Sequence, residues 1–369
     1  MFAAGASVTY AESPDTLQED FQAVQPSVAT SVPRVYEKIY AAIREQASES
    51  PIKERIFHWA VDVGQAYHRA DQPGGVLRLK RRIADRLVFA KVKSALGGEI
   101  EMLISGGGSL SADLCALYHG MGLPIFEGYG LTETAPVATC NPVEEPKIGT
   151  IGPPVVDMEV RIDESVAPAD EFGEETGTVG ELLLRGPNVS PGYWERPEET
   201  AASFDDDGWF RTGDIVLERP DDYLVFIERV KQVIVLSTGK NVAPGPIEDR
   251  FAPRELVEQC MVIGDGEKFV GALIVPNDDA LDEWAVSAGH DLPSDPHERV
   301  RDERVRSRIQ EEVDTINEEF EAHETIKQFA LVPQEFTEER GLLTPTMKKR
   351  RERILDAYED EVDAIYAEE

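Results

Sequence analysis

Two short apolar runs, each leading straight into glycines, place the tightest limit on how this chain can fold. Met102-Leu103-Ile104 runs into Ser105-Gly106-Gly107-Gly108, and Leu123-Pro124-Ile125-Phe126 runs into Glu127-Gly128-Tyr129-Gly130. Leu110–Gly120, between them, can form a helix. Strand, glycine turn, helix, strand, glycine turn is the layout of a parallel α/β sheet, with ligand loops at the carboxyl ends of its strands.

Around that unit the pattern changes by region. Residues 1–30 read as a short strand at Ser7-Val8-Thr9-Tyr10, then a helix and another strand. From Pro33 to Leu96 the spacing predicts helices: Val35, Ile39 and Ile43 share one face, as do Ile83, Leu87 and Phe89–Ala90. Arg78–Arg86 puts a run of basic residues on the last of these, which reads as a solvated face rather than a partner surface. Gly97-Gly98 reads as its C-cap. From Gly149 to Glu228 the signal is short β segments (Met158–Ile162, Gly180–Arg185, Ile215–Leu217, Tyr223–Ile227) separated by Gly, Pro and Asp turns, which predicts a small barrel-like subdomain. Beyond Arg229 come strand-like runs at Val233–Leu236, Gln259–Ile263 and Val270–Val275, then one long charged helical stretch over Glu298–Glu321.

Charge narrows the range of partners. The 369 residues carry 71 acidic and 37 basic side chains, a formal net charge of −34. Such a field repels nucleic acid and anionic membrane surfaces. Lysine is scarce among the basic residues, and the acidic surplus points to adaptation to high salt, which screens self-repulsion; an ordinary acidic cytosolic protein is the alternative. The length and 41% hydrophobic content suffice for two or three domains with cores. Cys115, Cys140 and Cys260 are odd in number and lack metal-ligand spacing, so they read as reduced thiols. No apolar stretch is long enough for a transmembrane segment. Met1-Phe2-Ala3-Ala4-Gly5-Ala6 lacks the basic start and full apolar core of a signal peptide. The expected location is cytoplasmic.

The sharpest chemical motif is Tyr129-Gly130-Leu131-Thr132-Glu133-Thr134. Small glycines let backbone approach a planar base or a phosphate, and Tyr129 offers a ring to stack on it. Thr132 can donate to phosphate oxygen. Glu133 is a hard carboxylate of the kind that holds nucleotide-bound Mg²⁺. The structural alternative is a tight turn whose Thr and Glu cap the next helix.

Residues 126–134, together with Ser105-Gly106-Gly107-Gly108, resemble the adenine and phosphate loops of the adenylate-forming synthetases, the acyl-CoA synthetase and luciferase superfamily. The resemblance runs on in order through Gly180-Glu181-Leu182 and Pro191-Gly192-Tyr193-Trp194 to Gly208-Trp209-Phe210-Arg211-Thr212-Gly213-Asp214. Asp214, read as lying on a turn beside Gly213, can accept from two ribose hydroxyls; an Asx-turn is the alternative. A third match spans Ile227-Glu228-Arg229, Lys231, Gly239-Lys240-Asn241-Val242-Ala243-Pro244 and Ile247-Glu248, where the family hands over to a mobile C-terminal domain. By resemblance Arg229 also contacts ribose, and the Gly239 loop lines the pantetheine channel. Lys240 reads as a solvated lysine or a contact. The chain departs from the family here, with Gln232 for the usual acidic hinge residue and Glu228 for the Gly before the Arg.

The fourth match is Leu342-Leu343-Thr344-Pro345-Thr346-Met347-Lys348-Lys349-Arg350-Arg351. It makes Lys348 the lysine that reaches the α-phosphate and the carboxylate, where an ammonium stabilises charge building in the transition state. Lys349 is the alternative for that role, and a basic surface cluster is the structural alternative for both. Ala11-Glu12-Ser13, Val32-Pro33-Arg34-Val35-Tyr36-Glu37-Lys38 and Glu324-Thr325-Ile326-Lys327-Gln328-Phe329 look like the long-chain fatty acid branch.

The resemblance implies an α/β adenylate-forming synthetase fold, with a partial parallel-sheet domain over 1–148, a small β-barrel subdomain over 149–228 and a mobile α+β C-terminal domain over 229–369. It implies ATP, Mg²⁺ and coenzyme A as ligands and a fatty acid as substrate, activated to an acyl-adenylate and passed to the thiol. Gly107, Gly108, Gly128, Tyr129, Gly130, Thr132, Asp214 and Arg229 would bind nucleotide. Thr132, Glu133 and Lys348 would be catalytic, with Glu133 on the metal and Gly239 on the coenzyme A channel. The family's Ser/Thr/Gly-rich loop that ends in a lysine and clamps the β- and γ-phosphates has no counterpart in this sequence. The expectation is therefore an N-terminally truncated ligase, completed by a separately encoded N-terminal half or by a start upstream of Met1. The alternative is a non-catalytic fragment retaining nucleotide or acyl binding.

Overall fold

The computed structural model describes residues 5–13, 16–48, 50–70, 72–166, 177–344 and 347–367. The expectations placed on Met1–Ala4 and on Pro345-Thr346 fall outside these. Two compact units divide the chain: Met1–Gly130 with Thr139–Gly152, and Leu131–Ala138 with Pro153–Glu369.

The first unit runs α1 (Leu17–Val24), β1 (Val28–Ser31), α2 (Pro33–Ser48), α3 (Pro51–Arg69), α4 (Gly75–Ala84), α5 (Ala90–Ala95), β2 (Met102–Ser105), α6 (Ala112–Met121), β3 (Ile125–Tyr129) and β4 (Thr139–Cys140), with one π-helical turn over Asp85–Phe89 joining α4 to α5. Its sheet has the order β1-β2-β3-β4. The first three strands are parallel, with Ser31 beside Ser105 and Ser105 beside Glu127. β4 runs antiparallel to β3. The parallel unit expected around the two glycine runs is present as β2, α6 and β3. The strand expected at Ser7–Tyr10 is not: residues 5–13 hold no strand, and Tyr10 is exposed. Four alternating residues make a strand only when a partner ladder takes up their backbone groups.

Burial organises this unit around Tyr36, Phe89, Leu103, Leu117, Tyr118 and Ile125. Two hydroxyls cross-link that core, Tyr36 donating to the Ile104 carbonyl at 2.7 Å and Tyr118 to the Tyr36 carbonyl at 2.9 Å. α3 and α6 cross where Gly64 meets Gly120, so closely that a Cβ on Gly120 would overlap the Gly64 backbone. On α4 and the turn after it, Arg78, Lys80, Arg82 and Arg86 are exposed, as the solvated-face reading expects. Arg81 turns inward and donates to the Gly120 carbonyl at 3.1 Å. Gly97 and Gly98, both at positive φ, close α5, with the Gly98 N–H returning to the Lys93 carbonyl at 2.9 Å.

The second unit begins with β5 (Glu159–Asp163), β6 (Thr178–Arg185), α7 (Pro197–Ser203), β7 (Phe210–Glu218) and β8 (Leu224–Arg229). These strands form one antiparallel sheet in the order β5-β6-β7-β8. The barrel-like subdomain expected here is thus an open four-stranded sheet among the described residues, because edge strands β5 and β8 do not pair with each other. There follow β9 (Ile234–Val235), β10 (Asn241–Val242), α8 (Pro244–Asp249), β11 (Val257–Ile263), β12 (Val270–Pro276), α9 (Asp278–Ala288), α10 (Pro296–Arg299), α11 (Glu303–Asn317), β13 (Ile326–Leu331), α12 (Arg351–Ala357) and α13 (Glu359–Ala367).

β12 lies between β11 and β13 and is buried along its whole length. Its Val270, Ala272 and Ile274 pack with Leu281, Val305, Ile309 and Val313 on one face. Leu273 and Val275 pack with Ile354, Tyr358 and Ile365 on the other. That two-faced burial is why its sequence is continuously apolar. The single helix expected over Glu298–Glu321 is two helices, since the Asp302 carboxylate accepts from the Arg304 N–H at 2.9 Å and starts α11 afresh.

Candidate functional site

The Tyr129–Thr134 motif spans both units. Gly128, Tyr129 and Gly130 belong to the first; Thr132 and Glu133 belong to the second.

In the first unit the two glycine turns leave adjacent parallel strands, β2 and β3, on the same side of the sheet. Gly107 has φ +84°, a conformation that other residues adopt only with strain. Gly106 lies against Gly128: a Cβ on Gly106 would sit 3.3 Å from the Gly128 carbonyl oxygen. Gly128 itself leaves only 3.4 Å to the Thr139 carbonyl. Gly108 faces Pro33 at an ordinary 3.7 Å. Glycine is therefore demanded by conformation at Gly107, and the close approach falls at Gly106, which the motif reading did not assign. Tyr129 ends β3 beside Thr139 of β4, and Gly130 follows it.

In the second unit Thr132–Thr134 form a 3₁₀ turn. Thr134, not Thr132, fastens it: fully buried, its hydroxyl accepts from the Leu131 N–H at 2.9 Å and donates to the Pro136 carbonyl at 2.8 Å. Thr132 is left exposed. The Glu133 carboxylate accepts from the Tyr193 hydroxyl at 2.8 Å, and its carbonyl accepts from the Ser190 N–H at 2.7 Å. Burial, then the bond to Glu133, raises the Tyr193 pKa above the ordinary phenol value. Tyr193, quoted without a role in the motif, is thus joined to it through Glu133.

Asp214 is not on a turn. It lies inside β7, within an irregularity in which Glu181 faces Ile215 while Leu183 faces Arg211. Gly213 takes φ +68° there. Glu181 supports the bulge from the neighbouring strand, accepting from the Gly213 N–H at 3.0 Å and from Arg211 at 3.1 Å. Asp214 stands directly across from Arg229 on β8. The Arg229 Nε lies 2.9 Å from the Asp214 carboxylate, whose side chain is 1% exposed against 47% for the arginine. The pair thus presents a guanidinium edge outward over a buried anion.

Lys348 lies within electrostatic reach of this pair. Partial burial of the ammonium and the nearby Arg229 charge lower its pKa below the ordinary lysine value, while Asp214 acts in the opposite sense. Lys349 goes elsewhere: its ammonium lies 2.5 Å from the Glu248 carboxylate. Gly239, at φ +80°, occupies the β9–β10 turn, where its N–H donates to the Leu236 carbonyl at 2.8 Å and a Cβ would meet nothing within 4 Å. Just upstream, Glu228 is buried and its carboxylate accepts from the Arg229 and Gly245 N–H groups, each at 2.8 Å.

Among the described residues no group of three or more His, Cys, Asp or Glu is arranged to hold a metal ion. A Mg²⁺ carried in on nucleotide phosphates needs only one or two protein carboxylates, and Glu133, part-exposed at the tip of its turn, is suited to that. No described helix is long and apolar enough to cross a membrane.

The fold is that of the adenylate-forming enzymes. It superimposes on the A–PCP didomain of carboxylic acid reductase from Segniliparus rugosus with a TM-score of 0.70 and 24% identity, over 97% of this chain and 44% of that one. The chain is 38% identical to long-chain-fatty-acid–CoA ligase FadD15 of Mycobacterium bovis, over 94% of its own length and 55% of the relative's. It is 30% identical to long-chain-fatty-acid–CoA ligase 1 of Cavia porcellus, over 95% and 49%. It spans about half the length of these curated relatives. The AMP-binding enzyme profile matches residues 1–194, and the profile of that family's C-terminal domain matches 231–369. The chain belongs to the AMP-binding enzyme family.

Proposed function

We propose that this chain carries the adenylate-handling part of a cytoplasmic long-chain fatty acid–CoA ligase, which converts ATP, a fatty acid and coenzyme A into acyl-CoA, AMP and pyrophosphate. The observation that carries this reading is the Asp214–Arg229 ion pair with Lys348 beside it. A carboxylate next to a guanidinium suits adjacent ribose hydroxyls. A lysine close enough to feel both charges suits the α-phosphate and the carboxylate that attacks it. Carboxylates are poor acylating agents because the leaving oxygen is so basic, and adenylation replaces it with a good leaving group.

In this reading Gly107, Gly108, Gly128, Tyr129 and Gly130 approach the adenine and phosphates, and Thr132 donates to a phosphate oxygen. Glu133 holds the nucleotide's Mg²⁺, oriented by Tyr193. Gly239 lines the coenzyme A channel. Residues 1–148, 149–228 and 229–369 act as the partial sheet domain, the β subdomain and the C-terminal domain. The loop that grips the β- and γ-phosphates is supplied from outside residues 1–369, by a separately encoded N-terminal half or by a start upstream of Met1.

The test is fatty-acid-dependent ATP–pyrophosphate exchange, by the chain alone and by the chain joined to the N-terminal part of FadD15. Exchange is expected only in the joined protein, and Lys348→Ala is expected to lower it about a hundredfold or more, the scale of losing one preorganised charge at a transition state. A joined, folded protein that binds AMP but performs no exchange would leave the chain a nucleotide-binding fragment.

A further inference from the structure

Lys348 and Lys349 are adjacent in sequence but differ in their partners, and one carboxylate accounts for the difference. Glu248, on α8, is 11% exposed. Its Oε1 accepts from the Val262 N–H and from Arg351 Nη1, each at 2.8 Å, and its Oε2 accepts from Lys349 Nζ at 2.5 Å. Arg351 also donates to the Val262 carbonyl. Burial by itself would raise the Glu248 pKa, but the Lys349 ammonium and the Arg351 guanidinium outweigh it and hold the carboxyl below its usual range.

The backbone is extended at Lys349, between Met347 at φ +62° and the helix that begins at Arg351. Leu343 and Lys349 form an antiparallel bridge, the Arg350 N–H donates to the Leu342 carbonyl at 2.8 Å, and α12 starts at Arg351. In extended chain, side chains two apart share a side and the one before points away. Two further bonds close the loop around Lys348: its N–H donates to the Thr344 hydroxyl at 3.0 Å, and its carbonyl accepts from the Thr344 N–H at 2.8 Å.

We propose that Glu248 is a positioning residue for Lys348: by holding Lys349 and Arg351 on one side of their segment, it commits Lys348 to the other, where Asp214 and Arg229 lie. A register slip of one residue would present Lys349 instead, and would break the two hydrogen bonds that Lys349 and Arg351 give to a nearly buried carboxylate. The consequence for the reaction rests on the reading of Lys348 as the phosphate-contacting lysine; the clamp itself does not.

The two are tested apart. Trace acetylation of this chain with acetic anhydride, read by peptide mass spectrometry, reports each amine without any turnover. In the unaltered chain Lys349 is expected to react about tenfold or more slowly than Lys348, the protection given by a charge-assisted bond. In Glu248→Gln the two rates are expected to converge. Glu248→Asp keeps the charge but shortens the reach, and serves as a second variant should the first not fold; Lys349 is expected to gain reactivity there too. Equal rates in the unaltered chain, or a Lys349 still protected in the variants, would overturn the clamp.

In the joined protein used for exchange, Glu248→Gln is expected to lower kcat about tenfold with the KM for ATP changed less than about twofold, the signature of a contact made in the transition state. A raised KM at unchanged kcat would overturn the positioning role. If Lys348→Ala leaves exchange intact, the ligase reading fails while the acetylation result still judges the clamp.

Discussion

Asp214 and Arg229 show how much chemistry a single residue pair can take from its neighbours. The Asp214 carboxylate is nearly fully buried, so its charge acts on Arg229 and Lys348 with little screening from water. Asp214→Asn keeps the shape and removes that charge. On the proposed reading, calorimetric titration should show AMP binding to the chain weakened about tenfold to a hundredfold, the range for a charged hydrogen bond. Asp214 now raises the lysine's pKa, so the same substitution should move the Lys348 titration further down. A Lys348 titration that stays in place would mean the carboxylate does not act on it. Both Asp214 and Arg229 were legible as motif residues. Their pairing was not, because it depends on the bulge at Gly213 and on Glu181 filling it from another strand. Nor could the sequence choose between Lys348 and Lys349. The deciding carboxylate, Glu248, lies about a hundred residues away.

Elements were legible where burial repeats and obscure where one side chain decides. The β2–α6–β3 unit follows from its apolar runs and glycines, and continuously apolar β12 follows from burial on both faces. The break before α11 rests on one Asp302 cap, and the loss of a strand at Ser7–Tyr10 rests on pairing that composition does not encode. The α3–α6 crossing belongs to the same class: nothing in the neighbourhood of Gly64 or Gly120 announces that the two backbones touch. Gly120→Ala should force the helices apart and destabilise the first unit by about 1–3 kcal/mol, the cost of overpacking a tight core. Urea denaturation followed by tyrosine fluorescence or circular dichroism would measure it. An unchanged midpoint would mean that the crossing yields freely.

For the molecule as a whole, the dominant quantity is a formal net charge of −34. Ion pairs such as Arg299 with Asp278 and Asp282, and Arg308 with Glu311 and Glu312, cancel charge locally and are already counted in that total. The uncompensated acidic surplus repels itself, and salt shortens the reach of that repulsion to about 3 Å near 1 M. The Tm should therefore rise between dilute buffer and about 1 M KCl, and scanning calorimetry with an uncharged osmolyte as control would show it. A flat or falling Tm would remove the argument for adaptation to high salt.

The β7–β8 hairpin turns at Arg219–Tyr223, at the end opposite the Asp214–Arg229 pair. Which residues face each other across it is set by the ladder, so foreign sequence spliced into the tip lengthens only the tip. Asp221-Asp222 is accordingly a natural grafting point: a tag or fluorophore placed there would ride on the same two strands that align the charged pair, and report on them without intruding.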